Sequence, residues 1–502
     1  MATPAGSKRP TSCTGLTALA VLVFLYGLAR AATLAITHDE ALTYLRHVQG
    51  SWPDVLAHAG PIASNNHLLN TAAVKILVSF LPPTELVVRL PALGGLALYL
   101  GAAIHLLRTR TSGLRQPLGL LLLAGNPFVL ELLVLSRGYA LALGLKLVGL
   151  AALVDDGTTP STGHRVRRRA LAAVAAAAAV LSNLGFAYAF VALAVASGVT
   201  ACCAGGSLRR RLGAVLAAVA PFVLTAVPLA AVYSPRAIAR IRGSLDSWGG
   251  ERGLWADTVP SLIDGMIHGA PWIAPFADTA IVVSTTLAAC LAVVAALAFV
   301  SRTRRRAAPE PVDSLIGVSI TFVAAWGLVA TAAAVAFDMR YPTERAASAL
   351  VPVATLLAIA LWEGAVRVRP ATARLVAVVV TAAVVHFVLC ANLTHTYLWR
   401  YDAGGRDAMR AVARAASASD GAFVVGASWL LEPAANFYRV TWGLSSLVPI
   451  DRGVPAPDAD VYYLGTWDRA IVRERALTVC AEYPVSGTLL AVPSVRSCPS
   501  HR

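Results

Sequence analysis

Long apolar runs alternate with short polar segments along residues 1–391 of the chain. Several of these runs reach the roughly 20 residues that an α-helix needs to cross a bilayer. The pattern predicts about eleven membrane-spanning helices. Their predicted positions are 15–36, 86–107, 117–135, 139–154, a hairpin of two helices that turns at 182–185, 212–233, a helix that ends near Arg302, 314–337, a helix that ends near Arg367, and 375–391.

The segment 37–85, which follows the first predicted span, is too polar to cross a bilayer. Within it, residues 68–81 are apolar, but this stretch is short and carries Lys75. We expect it to form an interfacial helix that lies along the membrane surface rather than a full span.

The composition agrees with a membrane protein. Hydrophobic residues make up 57% of the chain and charged residues only 14%, whereas a soluble domain carries about 25% charged residues. The predicted fold class is therefore a polytopic α-helical membrane protein.

Basic residues set the sidedness of the spans. The net charge of +15 does not indicate a nucleic-acid partner, because the basic residues lie between apolar runs and not on one soluble module. Cytoplasmic loops have this pattern. With the N-terminus inside and eleven spans, all the dense clusters share the inner face, and a twelfth span at 68–81 would invert most of them. The clusters are Lys8-Arg9, Arg108/Arg110/Arg115, Arg165/Arg167/Arg168/Arg169, Arg209/Arg210/Arg211, Arg302/Arg304/Arg305/Arg306 and Arg367/Arg369/Arg374.

Residues 392–502 change abruptly to a mixed composition, and the odd number of spans places them outside. Alternating strands and helices predict a small extracytoplasmic α/β domain. The predicted helices cover 407–416, 432–442 and 467–475, and the predicted strands cover 422–425, 460–464 and 488–492.

Two of the seven cysteines, Cys480 and Cys498, lie in this polar tail. Outside the membrane they would meet an oxidising compartment, where they could pair as a disulfide or stay free. The other cysteines lie in or beside apolar runs, where cysteine behaves as a small apolar residue.

Two adjacent carboxylates, Asp39 and Glu40, follow the first span directly. An acidic pair at a membrane surface is costly unless water, a cation or a substrate satisfies it. One interpretation is a functional site, and the other is that Asp39 or Glu40 caps the helix that follows.

Further polar residues collect on the predicted outer face, against the inside bias of basic residues. A phosphate-bearing substrate or an anionic head group would explain outer arginines, and snorkelling to ordinary lipid phosphates is the alternative. Glu131, within an apolar run, is expected to pair with Arg137. The candidate substrate-binding residues are His67, Lys75, Arg137, Tyr139, Arg340, Tyr341, Glu344 and Arg345.

These motifs together resemble the C-type integral-membrane glycosyltransferases, in the bacterial branch of protein O-mannosyltransferases and lipid A aminoarabinose transferase. That family has an Asp-Glu pair after the first span, matched here by Asp39-Glu40. An amphipathic segment and an Arg-Leu-Pro motif follow, similar to residues 65–70 and Arg89-Leu90-Pro91. Ser136-Arg137-Gly138-Tyr139 and Arg340-Tyr341-Pro342 resemble its later outer-face motifs.

The resemblance implies an inverting sugar transferase at the outer face of a bacterial cytoplasmic membrane. Its donor would be a polyprenyl-phosphate-linked hexose or pentose, and its acceptor a hydroxyl of a glycan, lipid or protein. Asp39 would be the catalytic base with Glu40 beside it, and Arg137, Arg340 and Arg345 would hold the donor phosphate.

The chain departs from the family pattern in two places. Asn65-Asn66-His67 stands where the family has His-Pro-Pro, and the second outer carboxylate of some members has no match near Arg137. A divalent cation therefore stays open as a cofactor. The rival interpretation is a transporter or a non-catalytic scaffold for envelope assembly, although we see no pair of related halves of the kind that transporters carry.

Overall fold

In the computed structural model, the described residues are 13–157, 162–203, 207–243, 249–304, 311–368, 370–419 and 421–498. The helices of the first part are α1 Cys13–Thr33, α2 His38–Thr43, α3 Trp52–Leu56, α4 Leu68–Val78, α5 Glu85–Arg110, α6 Arg115–Ala124, α7 Pro127–Val134, α8 Tyr139–Asp156, α9 Thr162–Ser182, α10 Ala187–Cys202, α11 Leu208–Val232, α12 Pro235–Gly243, α13 Val259–Ile267, α14 Ala277–Arg304, α15 Pro311–Phe337, α16 Leu350–Val368 and α17 Pro370–Leu389.

The long helices coincide with the predicted spans. Five of the described helices are long and apolar enough to cross a membrane, and α6 and α7, bent by 60° relative to each other, give a sixth if they count as one broken span. Pro127 at the start of α7 and Asn126, which caps that helix, form the break. Of residues 68–81, Leu68–Val78 form the short helix α4. Its placement along the membrane surface stays a prediction. The figure of eleven crossings stays a prediction.

Close packing of α5 against α8 holds the centre of the helical part. Gly95 of α5 lies against the backbone of Ala140 and Leu141, and Gly144 of α8 lies against the carbonyl group of Gly95. A side chain at either glycine would overlap that backbone. Small residues at such positions let two helices approach closely in a membrane.

The tail contains α18 Gly405–Ser417, β1 Val425–Ala427, α19 Glu432–Thr441, β2 Val461–Gly465, α20 Arg469–Glu474, β3 Leu477–Tyr483 and β4 Thr488–Pro493. The strands form one sheet in the order β1-β2-β4-β3, in which β1 and β2 are parallel and the other pairs antiparallel. The α/β character is as predicted. The first strand lies further along the chain than 422–425, and β3 was not predicted.

The missed strand has a physical explanation. β3 is an edge strand whose side chains are mostly exposed or half-buried, so its sequence lacks the apolar run that marked β2 and β4. Edge strands commonly carry polar or charged side chains, which prevent their unpaired backbone groups from pairing with other chains.

The tail packs directly onto the segment that follows α1. Ile36, Ala41 and Tyr44 share one apolar cluster with side chains of α18, α19 and the sheet. Tyr438 of α19 donates its hydroxyl hydrogen to Glu85 at 2.9 Å and accepts from the amide of Ile36 at 2.9 Å. The tail therefore packs against α2 and the segment before it, and encloses this region on one side.

Cys480 of β3 and Cys498 form a disulfide in the structure. We expect intact protein, denatured without reductant, to escape alkylation at these two cysteines while Cys202 and Cys203, which are free and exposed, are labelled. Reduction should add the mass of two hydrogen atoms and should lower stability by about 3 kcal/mol, as for a disulfide that closes a loop of this size.

Mass spectrometry of the wild type beside a Cys480→Ser/Cys498→Ser double variant measures the labelling and the mass change, and denaturant unfolding of the two proteins measures the loss of stability. Labelling of either tail cysteine before reduction would contradict the pairing.

Candidate active site

Asp39 lies in the first turn of α2, and its carboxylate is surrounded by donors from distant parts of the chain. Arg137 Nη2 lies 3.3 Å and Arg345 Nη1 3.4 Å from Asp39 Oδ2. Trp399 Nε1 donates to the same oxygen at 3.2 Å. The side chain keeps 14% of its surface exposed, so the carboxylate is enclosed but still open on one side.

The electrostatics of this cluster favour the ionised carboxylate. Burial alone would raise the pKa of Asp39, but Arg137 and then Arg345 outweigh it and hold that pKa well below its usual range. Asp39 is therefore a carboxylate at neutral pH. An anion that took up the charge of the two arginines would weaken this effect and make Asp39 a stronger base.

Asn65 fixes Arg137 against Asp39. Arg137 donates to Asn65 Oδ1, and Asn65 Nδ2 donates to the backbone carbonyl of Asp39 at 2.9 Å and to Thr43 Oγ1 at 2.9 Å. Arg137 and Asn65 are each only 5% exposed. The departure from the family pattern at Asn65 thus supplies an amide that joins the arginine to α2.

The turn that carries Arg137 requires a glycine. Gly138 has φ +71°, and a Cβ there would overlap the carbonyl oxygen of Ser182. The turn also directs the Ser136 amide to Glu40 Oε1 at 2.7 Å. The Ser-Arg-Gly-Tyr motif therefore forms a tight turn between α7 and α8 that packs against the end of α9 and directs Arg137 towards α2.

Glu40 has partners that differ from those of Asp39. Arg89 donates to Glu40 Oε1 at 2.9 Å and Oε2 at 2.7 Å, and neither side chain has any exposed surface. Glu40 Oε2 also accepts from the Thr37 amide at 3.0 Å, completing a capping box at the start of α2. Glu40 is thus fully buried and takes part in the capping box whose N-cap is Thr37. Its expected catalytic role stays a prediction.

Of the other candidates, His67 and Tyr139 lie beside the cluster. The His67 and Tyr139 rings are 6.0 Å apart. Burial, with the Arg137 charge next, holds the pKa of His67 well below its usual range, so its imidazole is neutral. Within the part of the chain that the structure describes, His67 Nε2 is buried without a hydrogen-bond partner.

The remaining candidates lie away from the carboxylate. Lys75 donates to the carbonyls of Val48 and Gly50 at 2.7 and 2.6 Å, so it braces the outer segment. Arg340 pairs with Glu251 at 2.8 Å on the surface, and Tyr341 pairs through its backbone with Gly250. The Glu344 amide donates to Ser261 at 2.8 Å, in the turn that leads to Arg345.

The expected pairing of Glu131 with Arg137 is wrong. Glu131 Oε1 lies 3.8 Å from Arg30 and 3.3 Å from His268, and it accepts from the Tyr397 amide. Arg137 instead contacts Asp39 and Asn65. Glu131 therefore anchors the segment that carries Trp399.

An apolar cavity of about 210 Å³ opens beside this anchor. Arg30, Glu131 and His268 form its polar end, and side chains of α1, α6, α7 and α17 form its apolar wall: Leu22, Val23, Leu121, Leu130, Val384, Phe387 and Val388. The cavity runs along helices that the sequence predicts to lie in the membrane, so it is suited to an apolar chain.

The donor set around Asp39 does not fit a divalent cation. Such a cation needs several oxygen ligands, whereas the ion partners of Asp39 are guanidinium groups and Glu40 is occupied by Arg89. Among the described residues, no group of three His, Cys, Asp or Glu side chains is arranged to hold a metal ion.

Sequence reasoning missed Trp399, Arg30 and Asn65. Trp399 lies in Tyr397-Leu398-Trp399-Arg400-Tyr401, directly after the last predicted span. This concentration of aromatic residues at a membrane boundary was the available signal. Nothing in the local sequence shows that its indole reaches a carboxylate 360 positions earlier.

We expect Arg345→Gln to move the acid limb of the pH–rate profile to higher pH. Burial raises the pKa of Asp39, and removal of the Arg345 guanidinium takes away one of the two charges that lower it. The pKa therefore rises, and the carboxylate is protonated under mildly acidic conditions that the wild type tolerates. The measurement is kcat/KM from acidic to neutral pH. Arg340→Gln is the matched control, since Arg340 pairs with Glu251 at the surface. An identical shift in both variants would contradict the assignment.

We expect Glu40→Gln to lower stability without a comparable change in the pH profile. Breaking a buried ion pair by removing one partner costs about 3–5 kcal/mol. Thermal unfolding in lipid nanodiscs measures this loss. Glu251→Gln is the control, because the Glu251 side chain is 70% exposed. A Glu40→Gln variant as stable as the wild type would show that the pair is not structural.

No protein-family model and no curated protein matches the sequence. Solved structures do. ArnT from Cupriavidus metallidurans in the apo state shares 17% identical residues at a TM-score of 0.46, over 96% of this chain and 98% of that one. The structure of the same protein bound to undecaprenyl phosphate shares 17% identical residues at a TM-score of 0.43, over 96% of this chain and 99% of that one.

The oligosaccharyltransferase from Archaeoglobus fulgidus, in a complex with zinc and sulfate, gives 11% identity and a TM-score of 0.46, over 95% of this chain and 73% of that one.

Proposed function

We propose that the protein is an inverting glycosyltransferase that moves a hexose or pentose from a polyprenyl phosphate to an acceptor hydroxyl. The observation that carries this proposal is the Asp39 carboxylate held between Arg137 and Arg345 in a partly open, buried cluster. A general base beside two cations is suited to a reaction that deprotonates a hydroxyl and releases a phosphate.

In the proposed reaction, the donor phosphate binds Arg137 and Arg345. The phosphate then neutralises part of the charge of the two arginines. The pKa of Asp39 therefore rises, and its carboxylate becomes basic enough to accept the proton of the acceptor hydroxyl. The hydroxyl oxygen forms a bond to the anomeric carbon while the bond from that carbon to the phosphate oxygen breaks on the opposite face. Polyprenyl phosphate leaves with the electron pair, and its charge stays neutralised by the arginines.

The apolar cavity beside Glu131 supports a lipid-linked donor. An isoprenoid chain would lie along α1, α6 and α17, with its phosphate-bearing end at the polar end of the cavity beside Arg30. Glu131 at that end accepts from Tyr397, two residues before the Trp399 that contacts Asp39. Burial of each CH₂ contributes about 0.8 kcal/mol, so the chain would supply much of the donor affinity. The site and the tail would face the outside of a bacterial cytoplasmic membrane.

The test is sugar transfer by purified protein from a panel of polyprenyl-phosphate sugars. Asp39→Asn should lower kcat by a factor of about 10²–10⁴, the usual contribution of a general base, with donor binding retained. Asp54→Asn is the matched control, because Asp54 is an exposed carboxylate of the same outer segment, in the first turn of α3.

Full activity of Asp39→Asn would overturn the role of Asp39. If the wild type bound none of the donors, the transporter or scaffold interpretation would replace the enzyme.

A further inference from the structure

The tail sheet presents the carboxyl ends of two parallel strands next to α2. β1 and β2 run parallel with Val425 opposite Val461, so the loops that follow them leave the sheet at one edge. In α/β sheets, ligands bind outside the carboxyl ends of parallel strands. Here this edge meets the helix that carries Asp39.

Hydrogen bonds join the two loops into one surface. Ser428, after β1, accepts from the Gly465 amide at 3.0 Å and donates its hydroxyl hydrogen to Asp468, after β2. The Ser428 amide also donates to the Tyr463 carbonyl at 3.1 Å. The surface formed by residues 428–431 and 465–468 is therefore rigidly tied to the sheet, and we call it the tail edge.

Two large indoles remain exposed on the tail edge. Trp429 is 53% and Trp467 49% exposed. Trp467 lies over Gly465, where a Cβ would overlap its ring, and Arg452 lies over Trp429 with its guanidinium carbon 5.2 Å from the ring centroid. Exposed, rigid aromatic side chains of this kind lose little conformational entropy when they bind a ligand.

His38 joins the tail edge to the catalytic helix. Its ring lies 6.2 Å from the Trp429 ring, its Nδ1 is 2.6 Å from the Leu430 carbonyl, and Arg452 Nη2 lies 3.4 Å from its Nε2. The next residue in the chain is Asp39. A ligand on Trp429 would therefore lie beside α2 and not on a remote surface.

We propose that the tail edge is the acceptor subsite and that it binds a carbohydrate. The apolar C–H face of a sugar ring would stack on Trp429, and Arg452, whose side chain is 29% exposed, would donate to ring oxygens or to an acidic substituent. The ring so held would direct one of its hydroxyls towards Asp39. This inference rests on the proposed function for its meaning, since it names the acceptor of that reaction as a glycan rather than a bare lipid or a polypeptide.

The binding test uses the full chain in nanodiscs, labelled with 5-fluorotryptophan, and follows the ¹⁹F resonances. The Trp429 resonance is the one that disappears in Trp429→Phe. Maltotriose, a neutral trisaccharide, and trigalacturonate, an acidic one, are the probes. We expect at least one of them to shift the Trp429 resonance and Arg452→Gln to weaken that binding by roughly tenfold, as for an interface residue of high energetic weight.

Trp442 provides the internal control. It lies at the opposite end of α19 from the tail edge, is 38% exposed, and its resonance should not move. If neither sugar shifted Trp429, or if Trp442 moved equally, the subsite would be overturned.

Transfer kinetics separate this subsite from the proposed function. With donor saturating, Trp429→Ala should raise the acceptor KM about tenfold and leave kcat close to wild type, whereas Trp442→Ala should change neither. If the protein binds sugar at Trp429 but has no transfer activity, the carbohydrate site is supported and the proposed glycosyltransferase function is rejected. If the protein is active but its acceptor KM does not change in Trp429→Ala, the function is supported and the subsite is rejected.

Discussion

The buried ion pair between Arg89 and Glu40 is the interaction on which the rest of the site depends. Arg89 donates to Glu40 and also to the carbonyls of Leu34 and Ala35, at 2.8 and 2.7 Å. It also donates to the Ala31 carbonyl in the last turn of α1 at 3.1 Å, so it satisfies carbonyl groups in and just after that turn while it holds the start of α2. Unpaired, either charge would be costly in this fully buried position. This pair therefore fixes the end of the first predicted span. It also fixes the orientation of α2, and with it the position of Asp39.

Two neighbouring carboxylates consequently behave in opposite ways. Glu40 is saturated by donors and fixes geometry, whereas Asp39 has cations on its flanks and keeps 14% of its side-chain surface exposed. The same physical effect, the field of nearby arginines in a poorly solvated place, holds a buried cap together in one case and keeps a partly exposed carboxylate ionised in the other. The difference comes from which oxygens are left open and not from the residue type.

The sequence predicted the helices well because apolar runs of span length and arginine-rich turns are local signals. It predicted Asp39, Arg137 and Arg345 as members of one site, because each lies at the end of a predicted span on a common face. It could not show that Glu40 faces Arg89 or that Glu131 faces Arg30, since the rotation of a helix about its axis decides such pairs. Trp399 was out of reach for a related reason. Its position depends on how the tail folds back over α2, and edge strand β3 shows how weakly the tail's local pattern marks its elements.

The Trp399 indole, 360 residues beyond Asp39, also has a consequence for biogenesis. A membrane protein inserts as it is synthesised, so Glu40 meets Arg89 and Arg137 reaches α2 while most of the chain is still unmade. The Trp399 indole that donates to Asp39 is synthesised long after these partners. A nascent chain that has reached Arg137 but not Trp399 therefore holds the Asp39 carboxylate without its indole donor.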